Sequence, residues 1–597
     1  MLFCLSGHLA AQPPDEPRQA SLQPVRADKF DQNLVGHRMA SHGMAFSWPG
    51  LTKIANGAAT AWSTTTAMAE VETDVHAFVK AYDETEPYLL SQIASYASDA
   101  MVHLRPIMEH GLAAGQLSEL PSLSTSLRGK LVARVRRMAD AVSAVRADRQ
   151  ARPVPDVATV WVEGQPMRAW PLYIKNLPNS THTLKQQSNC SDERKALAWD
   201  ERELEAKCEE NCAYNNYHPI VDSYHNGHIF QVLALAALLT AEGGDSAAAA
   251  RYISDVGEAL YDRFFTPNRG MSLLDLDHRI VYVPKDAPAL RLRRHELSSC
   301  EFVCLDVPQA HNHGIQTAMA AIYLRRAILH INWKRVAWPL ESTMEKDLFL
   351  QQLDLLVQAT WAHLHSDIGQ IESTEGPLVQ WRYRKGVEKC DQADPDKYRT
   401  QDISHAKYEI AFITALYKDN VEGADSSLLK ALMRTYLQRL VHDLDFMDGR
   451  RFACDLAGTS DVLPNGDERT DMNAAEMKSC RGSRREGERV QWALQWMQIG
   501  ASIFGCTDGC SPIDAPTRCN ALKMARSIFP FILQDSNSFG NGLNGGLDGF
   551  HRPEAALTAI LTKYYFYHYA NATCIACGQP QLCEPAYEQS KDTPKLK

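Results

Sequence analysis

The stretch "AHNHGIQTAMAAIYL", residues 310–324, places two imidazoles and an amide directly before a run of small apolar residues. An amide can donate a hydrogen bond to a carboxylate, and an imidazole can do so or accept a proton near neutral pH. His311, Asn312 and His313 therefore predict an anion-binding group at the start of a buried helix, with His313 able to transfer protons. For Asn312 taken alone, capping of the helix is the favoured interpretation.

A second candidate segment is "QWRYRKG", residues 380–386, in which Arg382 and Arg384 flank Tyr383. In an extended segment both guanidinium groups would lie on one side and the phenol on the other. This pattern is typical of a segment that holds a sugar carboxylate and presents a phenol for proton transfer. A solvated basic loop with a packed aromatic ring is the alternative.

A third candidate is "QDISHAKYEI", residues 401–410, where His405 and Tyr408 share one face of a helix with Asp402. Asp402 could cap this helix or orient the imidazole. A histidine and a tyrosine on one helical turn favour acid–base chemistry, whereas a buried structural histidine is the alternative.

The stretch "SYHNGH", residues 223–228, adds His225 and Asn226 as candidate substrate-binding groups. Its His-x₂-His spacing, and the His-x-His spacing of His311 and His313, also occur in metal sites. Neither pair has a clear carboxylate partner, so we predict no metal and no other cofactor.

Three of these groups stand at the start of strongly apolar runs, and two more such runs follow Glu488 and His551. A helix that is apolar nearly all round must be surrounded by other helices. Amphipathic segments between the runs, such as residues 348–365 and 428–444, can supply that outer layer.

The pattern predicts a mainly α fold, namely an incomplete (α/α) toroid of helical hairpins with a helical N-terminal extension. Its inner helices would run parallel, so that their N-termini and the polar groups meet at one end. Unpaired backbone N–H groups at those N-termini would also favour an anionic ligand. An open α-solenoid with a concave protein-binding surface is the alternative.

Changes of composition divide the chain into five predicted regions. They are 1–50, a leader and loose lead-in; 51–150, an N-terminal helical region; 151–209, an irregular linker with short strands; 210–570, the toroid and catalytic domain; and 571–597, a cysteine-containing C-terminal tail. In the second region Val75, Phe78, Val79 and Tyr82 recur at helical steps, which predicts a buried helix face.

Composition also bears on partners and compartment. Because the net charge is −10 and no basic stretch is long, nucleic acid is not expected as a partner, and no apolar segment is long enough to span a membrane. The apolar start of the chain, its N-x-S/T sequons and its closely spaced cysteines favour a secreted, disulfide-bonded glycoprotein. Zinc held by cysteine pairs is the alternative. The sequons lie at Asn179, Asn189 and Asn571, and the pairs are Cys208/Cys212, Cys300/Cys304, Cys506/Cys510 and Cys574/Cys577.

The candidate groups match the demands of β-elimination from a uronic-acid polysaccharide. That reaction needs a neutralised carboxylate, a base for the C5 proton and an acid for the leaving oxygen. Asparagine, histidine and arginine meet the first demand, and tyrosine or histidine the other two. Glycoside hydrolysis instead needs two suitably spaced carboxylates, and the acidic candidates stand in no telling motif. These candidates are Glu372, Glu375, Asp402 and Glu488.

The segment "AHNHGIQ", residues 310–316, resembles the Asn-His-Gly motif of the α/α-toroid polysaccharide lyases, the alginate lyase-like superfamily. The resemblance implies that Asn312 and His313 neutralise a uronate carboxylate and that Tyr383 is the catalytic tyrosine. His405 and Tyr408 resemble the family only as a later polar pair on an inner helix. It also implies an anionic polysaccharide, such as alginate or glucuronan, as the substrate.

The predicted function is therefore a lyase that cleaves a uronate-containing polysaccharide by β-elimination. A glycoside hydrolase of the same fold is one alternative. A non-catalytic helical module that binds carbohydrate or protein is the other.

Overall fold

The part of the chain that this computed structural model describes is mainly helical, which confirms the predicted fold class at that level. The described residues are 62–96, 104–120, 123–149, 168–170, 172–175, 217–220, 223–262, 310–383, 400–440, 453–459 and 469–473, with 476, 477, 480, 496, 499, 557, 560, 561 and 564. Several predictions fall outside these residues. They concern the leader, the C-terminal tail, the three sequons, the four close cysteine pairs, Arg384, Glu488 and His551.

The α-helices of the described residues are α1 (Trp62–Tyr96), α2 (Leu104–Ser118), α3 (Thr125–Ala144), α4 (Ser223–Glu242), α5 (Ser246–Leu260), α6 (His311–His330), α7 (Lys346–His365), α8 (Ile403–Lys418) and α9 (Ser426–Thr435). A 3₁₀ turn follows α3 at Ala147–Arg149, and a π-helical turn follows α9 at Tyr436–Leu440. The predicted apolar face of α1 is confirmed, because all four of its residues are buried; these are Val75, Phe78, Val79 and Tyr82.

Two short antiparallel strand pairs accompany the helices. Strand β1 (Leu172–Lys175) pairs with β2 (Tyr217–Ile220), and β3 (Gly369–Ile371) pairs with β4 (Leu378–Gln380). Residues 369–380 therefore form a β-hairpin. Its second strand leads directly into the segment that contains Arg382 and Tyr383.

The most extensive helix contact joins α4 and α6. Both helices are apolar on nearly every side, and their many small residues allow a close approach. A Cβ atom added at Gly227 would lie 3.1 Å from the carbonyl carbon of Gln316. Glycine at this position therefore lets the two backbones touch near their N-terminal ends.

Contacts at both ends show that α4 and α6 run parallel. Tyr224 stacks on His313 near the two starts, and Glu242 lies 3.9 Å from His330 near the two ends. Parallel packing of buried helices is the arrangement that the apolar runs predicted.

Helix α8 continues this parallel array. Near the start of α8, Tyr408 accepts a hydrogen bond from Tyr224 of α4. Directly after its end, Asp419 accepts one from Arg326, which lies in the second half of α6. The two contacts place the N-terminus of α8 beside those of α4 and α6.

Helix α2 joins the same array from the N-terminal helical region. Its first turn contacts α4 through Arg105 and Tyr224, and a Cβ atom added at Gly111 would lie 3.5 Å from Val232, further along both helices. Helix α2 is thus parallel to α4. The prediction of an N-terminal extension did not include this role.

Flanking helices run in the opposite direction, as helical hairpins require. Helix α7 is antiparallel to α6, because His363 contacts His311 whereas Asp354 contacts Arg325. Helix α5 follows α4 through a tight turn in which Gly244 has a positive φ of 84°. Along the chain, the parallel helices α2, α4, α6 and α8 thus alternate with flanking helices.

A buried ionic network ties the end of α3 to α5. The Arg146 side chain is 2% exposed and donates to Asp148, to Glu258 and, at 2.8 Å, to the carbonyl of Asp255. Arg149 pairs with the Asp255 carboxylate. Because removing one member of such a network leaves a buried charge unpaired, these contacts couple the N-terminal helices to α5.

Two further features concern the predictions of disulfide bonds and of no membrane-spanning segment. Cys454 and Cys480 form a disulfide, a pairing that the close cysteine spacings did not indicate. None of the described helices is both long and apolar enough to cross a membrane.

Candidate functional site

The candidate site lies where the four parallel helices α2, α4, α6 and α8 begin, which we call the N-terminal rim. Two clusters of side chains meet there. The tyrosine cluster comprises Arg105, Tyr224, His313 and Tyr408, and the His405 cluster comprises Tyr383, Asp402, Ser404 and His405. The tyrosine cluster combines residues that are far apart in the sequence, whereas the His405 cluster comes from residues 383–405.

In the tyrosine cluster a chain of hydrogen bonds joins three helices. Arg105 Nη1 donates to Tyr224 Oη at 2.9 Å, and Tyr224 Oη donates to Tyr408 Oη at 3.1 Å. His313 of α6 stacks on the Tyr224 ring, with centroids 5.0 Å apart and an interplanar angle of 23°. Residues from all four parallel helices therefore share one contact network.

Two cations accompany these phenols. The Arg105 guanidinium carbon lies 5.1 Å from the centroid of the Tyr224 ring, and Lys407 Nζ lies 4.7 Å from that of Tyr408. Burial raises the pKa of the Tyr224 phenol well above its usual value, and the nearby Arg105 offsets part of that rise. Tyr224 is therefore a neutral hydrogen-bonding group at physiological pH.

The His405 cluster contains an oriented imidazole. Asp402 is the N-cap of α8 and accepts from the backbone N–H of His405 at 3.1 Å. Its carboxylate also contacts His405 Nδ1 at 2.8 Å, which assigns the proton to Nδ1 and leaves Nε2 as the acceptor in the neutral ring. Asp402 is thus both cap and orienting partner, the two roles that the sequence suggested.

The exposure of this pair suits proton transfer. The His405 side chain is 28% exposed, whereas the Asp402 carboxylate is 1% exposed. The Tyr383 ring meets the imidazole edge to face, with centroids 5.3 Å apart. A buried carboxylate behind a partly exposed imidazole is the arrangement that a general base needs.

Asn312 stands in the first turn of α6 with both polar atoms buried. The residue is 0% exposed, and neither Nδ2 nor Oδ1 has a hydrogen-bond partner among the described residues. The N-cap of α6 is Ala310, so the interpretation of Asn312 as a cap is wrong. An unpaired buried amide costs about 1–3 kcal/mol, which native proteins seldom tolerate without a reason.

His311 and Arg382 both bind Asp367, a residue that the sequence did not single out. Asp367 Oδ2 lies 3.1 Å from His311 Nε2, and Oδ1 accepts from Arg382 Nε at 2.8 Å. Burial raises the pKa of Asp367, but the hydrogen bonds from His311 and Arg382 outweigh it and lower the pKa overall. Burial also lowers the pKa of His311 to about 4, so this ring is neutral at physiological pH.

These contacts also fix the backbone between the two clusters. The His311 N–H donates to the Tyr383 carbonyl at 3.2 Å. The segment after β4 is thus held against the start of α6, and Tyr383 is brought towards His405. Asp367 and His311 therefore position Tyr383 and Arg382.

His225 and Asn226, predicted as substrate-binding groups, contact the N-terminal part of the chain. The Asn226 amide donates to the Trp170 carbonyl and accepts from the Trp170 N–H, both at 3.0 Å. His225 is 2% exposed and stacks on Tyr96. We therefore leave both residues out of the proposed site.

Gly314, which follows His313 in α6, has room beside it. A Cβ atom added there would make an ordinary contact of 3.9 Å with Thr360. The fold itself does not require glycine at this position, in contrast to Gly227.

Sequence reasoning missed Arg105, which lies 119 residues before its partner Tyr224 and in no local motif. Tyr224 stood next to the candidate His225 and Asn226, and its place at the start of an apolar run was the available signal. Within the described part of the chain, no group of three or more His, Cys, Asp or Glu side chains is arranged to hold a metal ion.

Comparison of the sequence with protein-family models, with curated proteins and with solved structures finds no match in any of the three.

Proposed function

We propose that the chain is a polysaccharide lyase that cleaves a uronate-containing polysaccharide by β-elimination and that its helices form an incomplete (α/α) toroid. The parallel order of α2, α4, α6 and α8, with flanking helices in the opposite direction, supports the toroid. The resemblance of residues 310–316 to the Asn-His-Gly motif supports the reaction. Secretion, glycosylation and an anionic polysaccharide as the partner belong to the same proposal.

The single observation that carries the proposal is the meeting of amide, imidazole and phenol groups at the N-terminal rim. Asn312 offers an amide without a partner among the described residues, and His313 lies next to it on α6. Four helix N-termini contribute partial positive charge at the same end. Together they provide the neutral and positive donors that a uronate carboxylate requires.

The two clusters divide the remaining chemistry. His405, oriented by Asp402, accepts the C5 proton of the sugar, because its Nε2 carries the lone pair. The phenols of Tyr383 and Tyr408 are the two candidates that protonate the leaving oxygen. Tyr408 is a residue of α8, and the Tyr383 ring contacts His405 of the same helix, which carries the base.

A glycoside hydrolase has less support from this geometry. Glu409, which is also buried near Asp402, accepts a hydrogen bond from Gln401 at 2.6 Å. Asp402 itself binds His405, and Asp367 binds both Arg382 and His311. None of the three is placed as an unpaired acid or nucleophile, and hydrolysis needs two such groups.

The test is incubation with alginate, glucuronan and glycosaminoglycans. A lyase raises the ultraviolet absorbance of unsaturated uronate in step with the number of new reducing ends. New reducing ends without that absorbance would instead identify a hydrolase. Binding without cleavage would identify a carbohydrate-binding module and refute the proposed reaction.

A further inference from the structure

The tyrosine cluster contains two residues, Arg105 and Tyr224, to which the proposed reaction has so far given no role. We propose that Arg105 and Tyr224 are positioning residues that orient the hydroxyl group of Tyr408 and make Tyr408, not Tyr383, the proton donor to the leaving oxygen. This inference rests on the proposed function.

The direction of the hydrogen-bond chain follows from the donors available. A guanidinium group can only donate, so the Tyr224 oxygen accepts from Arg105. Tyr224 then directs its own proton to Tyr408 Oη at 3.1 Å. Such a chain is polarised along its length, and each bond strengthens the next.

Because Tyr408 accepts the hydrogen bond from Tyr224, that bond stabilises the phenolate that forms when Tyr408 loses its proton. In the elimination, the base takes the C5 proton, the C5–H electron pair forms the C4–C5 double bond, and the C4–O bond breaks. The leaving oxygen keeps the electron pair of the broken C4–O bond and takes the Tyr408 proton. The hydrogen bond from Tyr224 then becomes a stronger bond to the Tyr408 phenolate. Proton exchange with solvent returns both groups to their starting states.

Packing holds Tyr224 in this geometry. Its ring is stacked on His313 at 5.0 Å and meets the His228 ring edge to face at 4.8 Å. The ring of Tyr408 meets that of Tyr224 edge to face at 5.8 Å. Because three neighbouring rings restrict its rotation, Tyr224 can hold the Tyr408 hydroxyl in one orientation.

Helix α2 supplies Arg105 because it docks closely on its neighbours. A Cβ atom added at Gly111 would lie 2.6 Å from Met138 Sδ of α3 and 3.5 Å from Val232 of α4. Glu109, one turn after Arg105, lies 3.8 Å from its guanidinium group. The proposed chemistry therefore depends on the N-terminal helical region as well as on residues 210–570.

The first experiment compares Tyr408→Phe with Tyr383→Phe on the uronate polymer that the wild-type protein cleaves best. Loss of the proton donor is expected to lower kcat by about 10²–10⁴-fold. We expect the large loss in Tyr408→Phe and a smaller one in Tyr383→Phe. The reverse order would overturn the inference and leave the proposed function intact.

The second experiment tests the positioning residues with Arg105→Gln, Arg105→Lys and Tyr224→Phe. Loss of one hydrogen bond in the chain is expected to lower kcat about tenfold with little change in KM. Arg105→Lys, which keeps a cationic donor, should recover part of that loss. Tyr252→Phe is the matched control, because the Tyr252 hydroxyl binds Asp140 on the flanking helices, and it should leave kcat unchanged.

A readout independent of turnover separates the two proposals. In protein with isotope-labelled tyrosine, followed by NMR and assigned with Tyr408→Phe, the Tyr408 pKa should rise in Arg105→Gln and in Tyr224→Phe, because each loses stabilisation of the phenolate. An unchanged Tyr408 pKa would overturn the inference whatever the activity. A Tyr408 pKa that rises in both variants, together with a wild-type protein that cleaves no uronate polymer, would support the hydrogen-bond chain and refute the lyase reaction.

Discussion

At the N-terminal rim the parallel helices meet through aromatic rings and hydrogen bonds to phenol groups, whereas at their opposite end they meet through pairs of opposite charges. There Arg326 of α6 donates to Asp419 at 2.6 Å, directly after α8. Glu119, at the end of α2, interacts electrostatically with both Arg326 and Lys418. We call these four residues, Glu119, Arg326, Lys418 and Asp419, the C-terminal charge cluster.

The difference follows the polarity of the helices. Their N-termini carry partial positive charge and their C-termini partial negative charge. Arg326, which pairs with Asp419, is a cation that complements the C-terminal end from within the protein. At the rim the Asp402 carboxylate caps α8, whereas the Asn312 amide in the first turn of α6 has no hydrogen-bond partner among the described residues. We propose a negatively charged ligand as the partner of that amide. One end therefore stabilises the helix array, and the other is suited to binding.

The largest effect expected at the rim comes from His405→Asn. The asparagine amide can still donate to Asp402 but cannot accept the C5 proton, so kcat should fall by about 10²–10⁴-fold. Stability should change little, because the His405 side chain is partly exposed. Turnover of the preferred polymer and thermal unfolding measure the two effects.

The matched control for His405→Asn is His330→Asn. His330 lies at the opposite end of α6, 3.9 Å from Glu242, and its side chain is 36% exposed. We expect wild-type turnover from this variant. Equal losses of kcat in both variants would contradict the division of labour between the two ends.

The next largest effect is a contrast between two buried asparagines, one whose loss should lower kcat/KM and one whose loss should lower stability. Asn312→Ala removes a polar group that has no partner among the described residues, so its stability should be unchanged or higher, whereas kcat/KM should fall by about 10–100-fold. Asn226→Ala breaks two hydrogen bonds to Trp170 and should cost about 1–3 kcal/mol of unfolding free energy. Denaturant unfolding and steady-state kinetics on both variants check this contrast.

The helix starts at the rim show which contacts could be predicted from the sequence. Helical periodicity predicted the apolar helices, and the spacing of Asp402 and His405 predicted their contact, because both are local properties of one helix. The sequence pattern could not show that Tyr224 belongs to the site whereas Asn226 does not. Helix residues two positions apart point about 200° apart around the axis, so one joins the rim cluster and the other reaches Trp170.

Contacts between segments that are distant in the sequence could not be predicted from local sequence patterns. Arg105 meets Tyr224 because Gly111 and Gly115 let α2 dock closely against α3 and α4. Asp367 meets Arg382 because residues 369–380 form a hairpin. The fold class was therefore predictable from periodicity. The partners at the site depend on how helices and hairpin pack together.

A smaller effect is expected at the C-terminal charge cluster and depends on pH. Burial, together with the nearby Arg326, lowers the pKa of Lys418 from 10.5 to about 7. The folded state thus binds this proton less tightly than the unfolded state. The penalty is fully present below about pH 7 and fades as pH rises towards 10.5.

Lys418→Met should therefore raise the unfolding free energy at pH 6 by about 1–2 kcal/mol, a figure reduced for partial exposure of the group. The gain should shrink at pH 10. Lys334→Met, at an exposed position, should show no such trend. A constant gain for Lys418→Met across this range would show that burial does not destabilise its charge.

The smallest effect compares two glycines. Gly314→Ala places a methyl group 3.9 Å from Thr360, and at Gly129 of α3 an added Cβ meets nothing within 4 Å. Both changes should raise the unfolding free energy by about 0.5–1 kcal/mol, because alanine favours a helix more than glycine does. Only Gly314 lies beside Asn312 and His313, where the polysaccharide is proposed to bind. Gly314→Ala should therefore raise KM a few-fold while Gly129→Ala leaves it unchanged; equal KM values would mean that the polymer does not approach this part of the rim.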